Sequence, residues 1–243
     1  MAQEHDTGSA DALQKLSSAG FIVGAILIVI GSLSLPTIDL SDVLKAQQQF
    51  GEQAVRLQIC ALLITFGYWA IMIGTAGLYS SITATGSAWA RLGFYFHIVG
   101  VVLWTLGMSL DVSYPAAIVN WMTSPAAAKD VAYSVVTVLS PAGFGRGLFP
   151  MNVMVNWLAF TFLGVGMALS AIYPRWLGWS GLILGMAGVL LGISMTFTGR
   201  ERLLTPFIIL WGFTILWWLM TGIWATRQAW PRRRPEHVIG ISN

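Results

Sequence analysis

The stretch RLGFYFHIVGVVLWTLGMSLD, residues 91–111, decides how this chain reads. Within it Gly93, His97, Gly100, Trp104, Gly107 and Asp111 follow one another at alternating spacings of four and three. At about 100° per residue they fall on one narrow face of a helix. The rest of the stretch is apolar and long enough to cross a hydrocarbon core of roughly 30 Å. One face of a membrane-crossing helix therefore carries three glycines, the only histidine outside the polar ends, and a carboxylate at its terminus.

The composition extends this reading to the whole chain. Of 243 residues, 56% are hydrophobic and only 9% charged, with twelve Trp and twelve Phe, and the mean hydropathy is +0.71. These values exclude a soluble globular domain and suit a bilayer protein, whose aromatic rings collect at the two interfaces. The expected architecture is all-α: one domain over 1–230, with six spans at about 17–35, 54–79, 89–110, 149–173, 177–197 and 204–225. The polar lead-in to residue 15 reads as a tail, and residues 17–35 as a retained helix rather than a cleaved signal, because acidic residues precede them and no Ala-x-Ala site follows. The run 36–52 reads as a polar loop. Residues 231–243 form a basic tail with Arg232, Arg233 and Arg234, suited to an anionic lipid surface.

An even number of spans puts both termini on one side. With the termini inside, seven basic residues (Lys15, Arg91, Arg175, Arg227, Arg232, Arg233, Arg234) stand against six outside (Lys45, Arg56, Lys129, Arg146, Arg200, Arg202). The positive-inside rule thus favours cytoplasmic termini by a narrow margin. No basic stripe interleaves with exposed aromatics, so nucleic acid is not an expected partner; the lipid bilayer is.

Glycine stripes recur. Residues Gly178, Gly181, Gly185, Gly188 and Gly192 mark the fifth span, and Gly67, Ala70, Gly74 and Gly77 the second. In lipid, helices associate largely through close contact, which small residues permit. The stripes are expected to be packing seams within one bundle. The fifth-span stripe is also the best candidate for a homodimer face, and a flat wall against a lipid or ring-shaped ligand is a third use.

Polar groups gather at one depth. Asp111 ends the third span, Gln58 begins the second on the same side, and Asn152 and Asn156 lie one turn apart at the start of the fourth. Together with Trp104 they make the candidate ligand site, against the plainer alternative of interhelical hydrogen bonds alone. Above them, residues 112–150 are too apolar for a solvated loop, and loops of this length are commonly functional. Ser124-Pro125 is expected to open a helix to about Leu139. The segment reads as an interfacial lid over the bundle mouth or as a docking surface for a membrane partner.

His97 and Asp111 stand roughly 21 Å apart along a helix axis, so they form neither an acid–base pair nor a shared metal site. His97 alone is the one weak metal candidate. The lone Cys60 fits no disulfide or cysteine-based metal motif, and Met108, Met122, Met151 and Met154 near the same face offer only a soft-metal alternative. No nucleophile motif, zinc motif or phosphate loop is present, and no cofactor is required by the sequence.

Two stretches carry a resemblance. One is Gly77-Leu78-Tyr79 followed by Ala90-Arg91-Leu92-Gly93-Phe94 and Gly100-Val101-Val102-Leu103. The other is Ile172-Tyr173-Pro174-Arg175-Trp176-Leu177-Gly178-Trp179-Ser180-Gly181, leading to Trp217-Trp218 and Gly222-Ile223-Trp224. Together they resemble a family of six-span prokaryotic integral membrane proteins known only as a domain of unknown function, over roughly 77–103 and 150–225. The resemblance implies a six-helix fold in a prokaryotic cytoplasmic membrane and no established catalytic residues.

The leading expectation is a non-catalytic membrane protein that binds a lipophilic ligand or serves as a subunit of a membrane complex. An enzyme acting on a lipid-soluble substrate through Asp111 is the alternative, and a small-molecule transporter the third.

Overall fold

A computed structural model describes residues 4–39, 42–140 and 145–229. Those residues form eight α-helices and no strand: α1 (Glu4–Leu33), α2 (Val43–Glu52), α3 (Ala54–Ser81), α4 (Ser87–Thr123), α5 (Lys129–Leu139), α6 (Gly145–Ala168), α7 (Arg175–Thr198) and α8 (Leu204–Ala229). Six of them, α1, α3, α4, α6, α7 and α8, are long and apolar enough to cross a membrane. The chain is an all-α, polytopic membrane protein. The basic tail at 231–243 lies outside the described residues.

The six spans close into a ring. In chain order α1 packs on α3, α3 on α4, α4 on α6, α6 on α7 and α7 on α8, and α8 returns to α1. Glycine sets how closely these backbones approach. A Cβ on Gly20 would stand 2.5 Å from the Ala70 carbonyl oxygen, and one on Gly185 2.4 Å from the Thr161 amide nitrogen. Lipid tails give apolar helices no hydrophobic reason to associate, so such contacts supply much of the cohesion. All five fifth-span glycines are buried. They face Ala168, Trp217, Thr161, Trp157 and Met154 of α6 and α8, so the stripe offered above as a homodimer face is filled within the chain.

Inside the ring lies an aromatic core in which Phe21, Trp157, Phe160, Trp217 and Trp218 are nearly inaccessible. Phe21 stacks on Trp218 at 5.0 Å, and Phe160 meets Trp218 at 4.7 Å. Three side-chain N–H groups on α8 reach carbonyls at the start of α7 and in the turn before it. Trp217 Nε1 donates to Leu177 O (2.8 Å), and Gln228 Nε2 and Trp224 Nε1 donate to Ile172 O (2.7 and 3.2 Å).

Five expected boundaries need correction. The third span does not end at 110: α4 runs 37 residues to Thr123, roughly 55 Å at 1.5 Å per residue. The helix continues past Asp111 with an apolar face, because Tyr114 and Ile118 have an apolar partner in Val136 of α5, joined by Phe50 of α2. The expected lid over 112–150 is therefore a helical hairpin, α4 returning through α5, rather than a loop. Ser124-Pro125 does not cap that return helix; Ser124 Oγ bonds back to Asn120 O (2.7 Å), and Pro125 is extended before a 3₁₀ turn at Ala126–Ala128. The run 36–52 holds α2, whose N-cap Asp42 accepts from the Leu44 and Lys45 amides at 2.8 and 3.1 Å. Helix α1 already begins at Glu4, where a polar tail was expected, and α6 stops at Ala168, five residues short of 173.

Candidate functional site

A cavity of about 410 Å³ opens at one end of the ring. It lies where the C-terminal side of α1, the N-terminal turns of α3, α6 and α8, the Asp111 region of α4 and the α7–α8 turn converge. Phe50 of α2, Tyr114 and Pro115 of α4, and Leu139 of α5 also border it, so the second small core roofs the opening. The walls are mostly apolar and aromatic, with Trp104, Phe149, Phe207 and Trp211 among them.

Three of the five residues expected to bind a ligand line this cavity: Trp104, Asp111 and Asn152. Asp111 is exposed to it and makes no hydrogen bond or ion pair with the described residues. The ring of Trp104 packs on Tyr68 at 4.5 Å, and Tyr68 is fixed in turn by a hydrogen bond from Trp211 Nε1 to its hydroxyl (3.0 Å). Trp104 Nε1 itself is buried and has no hydrogen-bond partner among the described residues.

The remaining two serve the frame. Asn156 Nδ2 donates to Asn152 Oδ1 (2.5 Å), to Asn152 O (3.1 Å) and to Gly100 O (3.1 Å), binding α6 to α4 behind the cavity. A Cβ on Gly100 would collide with that amide, 2.6 Å from its Oδ1. Gln58 Nε2 donates to Val112 O at 3.1 Å, which joins α3 to α4 one residue past Asp111.

The glycines of the α4 stripe divide in the same way. Gly93 abuts Leu163 and Ala159, and Gly100 abuts Asn156, but a Cβ on Gly107 would meet nothing within 4 Å. Gly107 lines the cavity. Its missing side chain enlarges the space between Trp104 and Asp111 rather than bringing two helices together.

Arg200 is a charged cavity-lining residue that was not among those expected from the sequence. It follows Gly199, whose φ of 87° lies in the region that favours glycine and whose amide closes α7 onto Met195 O at 3.0 Å. That turn brings Arg200 to the cavity wall. Its guanidinium lies 4.1 Å from the Phe149 ring centroid and acts electrostatically on Asp111. The signal was available: Arg200 sits four residues before the sixth span, on the side where Asp111 ends the third.

His97 lies four turns below Asp111, fully buried, with its ring 5.4 Å from Trp218. Neither ring nitrogen has a hydrogen-bond partner among the described residues, and among them no group of three His, Cys, Asp or Glu could hold a metal ion. The methionines do not converge either: Met154 fills the groove at Gly192, Met122 faces Gly51, and Met108 borders the cavity.

Compared with known proteins, the chain matches no family model, no curated protein and no solved structure.

Proposed function

We propose that this membrane protein binds a lipophilic ligand in the cavity between α4, α6 and α8. One observation carries the reading: an apolar, aromatic-walled space of about 410 Å³ with a carboxylate and a guanidinium on its rim. That volume falls in the range of small-molecule sites, which are typically apolar with a few placed polar groups. Gly107 is central, because it lines the cavity and a Cβ added there would meet nothing within 4 Å.

Purification in mild detergent followed by native mass spectrometry tests it. The wild type is expected to retain a bound lipophilic molecule, and Gly107→Phe to fold normally but lose it. A wild-type chain that carries no such molecule, or a Gly107→Phe chain that carries the same one, would overturn the proposal.

The enzymatic alternative rests on Asp111, the one carboxylate among the described residues that line the cavity. Its neighbour there is Arg200, which stays protonated and supplies no second acid or base. Binding therefore accounts for the site more simply than catalysis. A role as a complex subunit is compatible, since Val131, Val135 and Val138 leave an apolar face of α5 uncovered.

A further inference from the structure

We infer that the cavity takes a lipophilic amine, a single protonated ammonium at the head of an apolar body. The inference rests on the binding function proposed above and adds the charge and chemical class of the ligand. Asp111 is the one carboxylate among the described residues that line the cavity. It is exposed there and makes no hydrogen bond or ion pair with the described residues.

Arg200 does not neutralise it by contact. The guanidinium rests on the Phe149 ring, 4.1 Å from the centroid, and acts on Asp111 through its field without forming an ion pair. A carboxylate in apolar surroundings with no donor against it is costly. A cation in contact with it is worth more there than in water, because the surroundings screen less.

The walls suit a cation as well. Trp104, Phe207 and Trp211 line the same space, and aromatic faces attract positive charge. Arg200 on Phe149 shows one wall of the cavity already holding a cation against a ring. An anionic ligand would meet the like charge of Asp111. A neutral alcohol could donate to the carboxylate, but a hydrogen bond between charged partners is roughly twice as strong as a neutral one. A primary ammonium brings three N–H donors and stays protonated near neutral pH, as lysine does.

The apolar body has its own track. Trp104 and Asp111 share a face of α4, roughly 10 Å apart along its axis. Gly107 lies between them, lines the cavity, and leaves the space beside it open. An alkyl or ring system can lie along this wall with its ammonium at Asp111 and its far end at the indole.

Isothermal titration calorimetry on the full chain in an uncharged maltoside detergent compares decylammonium, decanol and decanoate, which share a chain and differ in charge. Wild type is expected to bind decylammonium at least about tenfold more tightly than either of the others. Asp111→Asn should remove that preference and leave decanol binding unchanged, while Asp111→Glu should keep it. Arg200→Gln should keep or widen the ratio of amine to alcohol, because a like charge near the ammonium is gone. Ethylammonium, with the same charge and almost no apolar body, should bind far more weakly than decylammonium. Equal binding of amine and alcohol, tighter binding of decanoate, an Asp111→Asn chain with an unchanged ratio, or ethylammonium bound as tightly as decylammonium would each overturn the inference.

Gly107→Phe separates the two levels. If it weakens all three decyl ligands while wild type binds the three equally, the cavity function stands and this inference falls. If wild type and Gly107→Phe bind decylammonium equally, both fall. A wild-type chain that binds none of the three but carries a neutral lipophile from the membrane overturns the amine and leaves the cavity function standing.

Discussion

Asn156 and Gly107 show how neighbouring positions on the two faces of α4 and α6 serve opposite ends. Asn156 spends its amide on α4 and on Asn152, so it fastens helices. Interhelical hydrogen bonds in membranes are typically worth about 1–2 kcal/mol at most. Asn156→Ala should therefore lower stability by about that amount, read as an earlier thermal transition in detergent, with the cavity still able to bind. Gly107→Ala, by contrast, should shift stability by less than about 1 kcal/mol, because it adds helix propensity and meets no neighbour. The two asparagines, read from sequence as a polar pair on one face, could not be divided into frame and site: only the facing helix decides which amide is consumed by packing.

The helices show the same contrast between pattern and partner. Gly188 of α7 sits where a Cβ would lie 1.9 Å from Trp157 Cγ, a buried indole with no room to withdraw. Gly188→Ala should cost about 3 kcal/mol or more, the upper range for overpacking. The measurement is its thermal transition beside that of Gly107→Ala, a chemically identical change in the α4 stripe. Equal effects at the two sites would contradict the packing of α7 on α6. Helix α4 offers a second test. Pro115→Ala restores a donor for the Asp111 carbonyl, so hydrogen–deuterium exchange should slow around residues 111–115. Faster exchange there would mean that the proline, and not the missing bond, holds this turn together. Sequence placed the end of the third span at Leu110, where the carboxylate of Asp111 follows; the partners that carry the helix onward, Val136 and Phe50, belong to other helices.

Closure of the ring depends on α8 reaching α1. A Cβ on Gly222 would stand 2.8 Å from Phe21 Cβ and 3.1 Å from Ile22 Cγ1, so the two backbones approach closely enough for a cross-link once residues 22 and 222 are both cysteines. Ile22→Cys with Gly222→Cys, in a Cys60→Ala background, should form an intramolecular disulfide on mild oxidation, seen as a mobility shift that reductant reverses. A chain whose last span packed elsewhere would show none. The cavity is a consequence of this closure, because helix ends distant in sequence meet at one mouth only when first and last spans touch.

Much of this architecture was written in local chemistry. Runs of apolar residues, turn signals such as Pro174 and the glycine periods are properties of neighbours along the chain. They suffice for six membrane helices and for faces made to approach closely, since burying backbone polar groups in lipid leaves little choice but helix. The depth of Asp111 and Asn152 could likewise be counted from the ends of their spans. What local chemistry leaves open is which seam meets which: whether the α7 stripe turns outward or onto α6, whether Gly107 meets a helix or a space, and that Arg200 comes to Asp111's side. Those outcomes depend on contacts between residues dozens of positions apart, where shape complementarity, and not hydropathy, selects the partner.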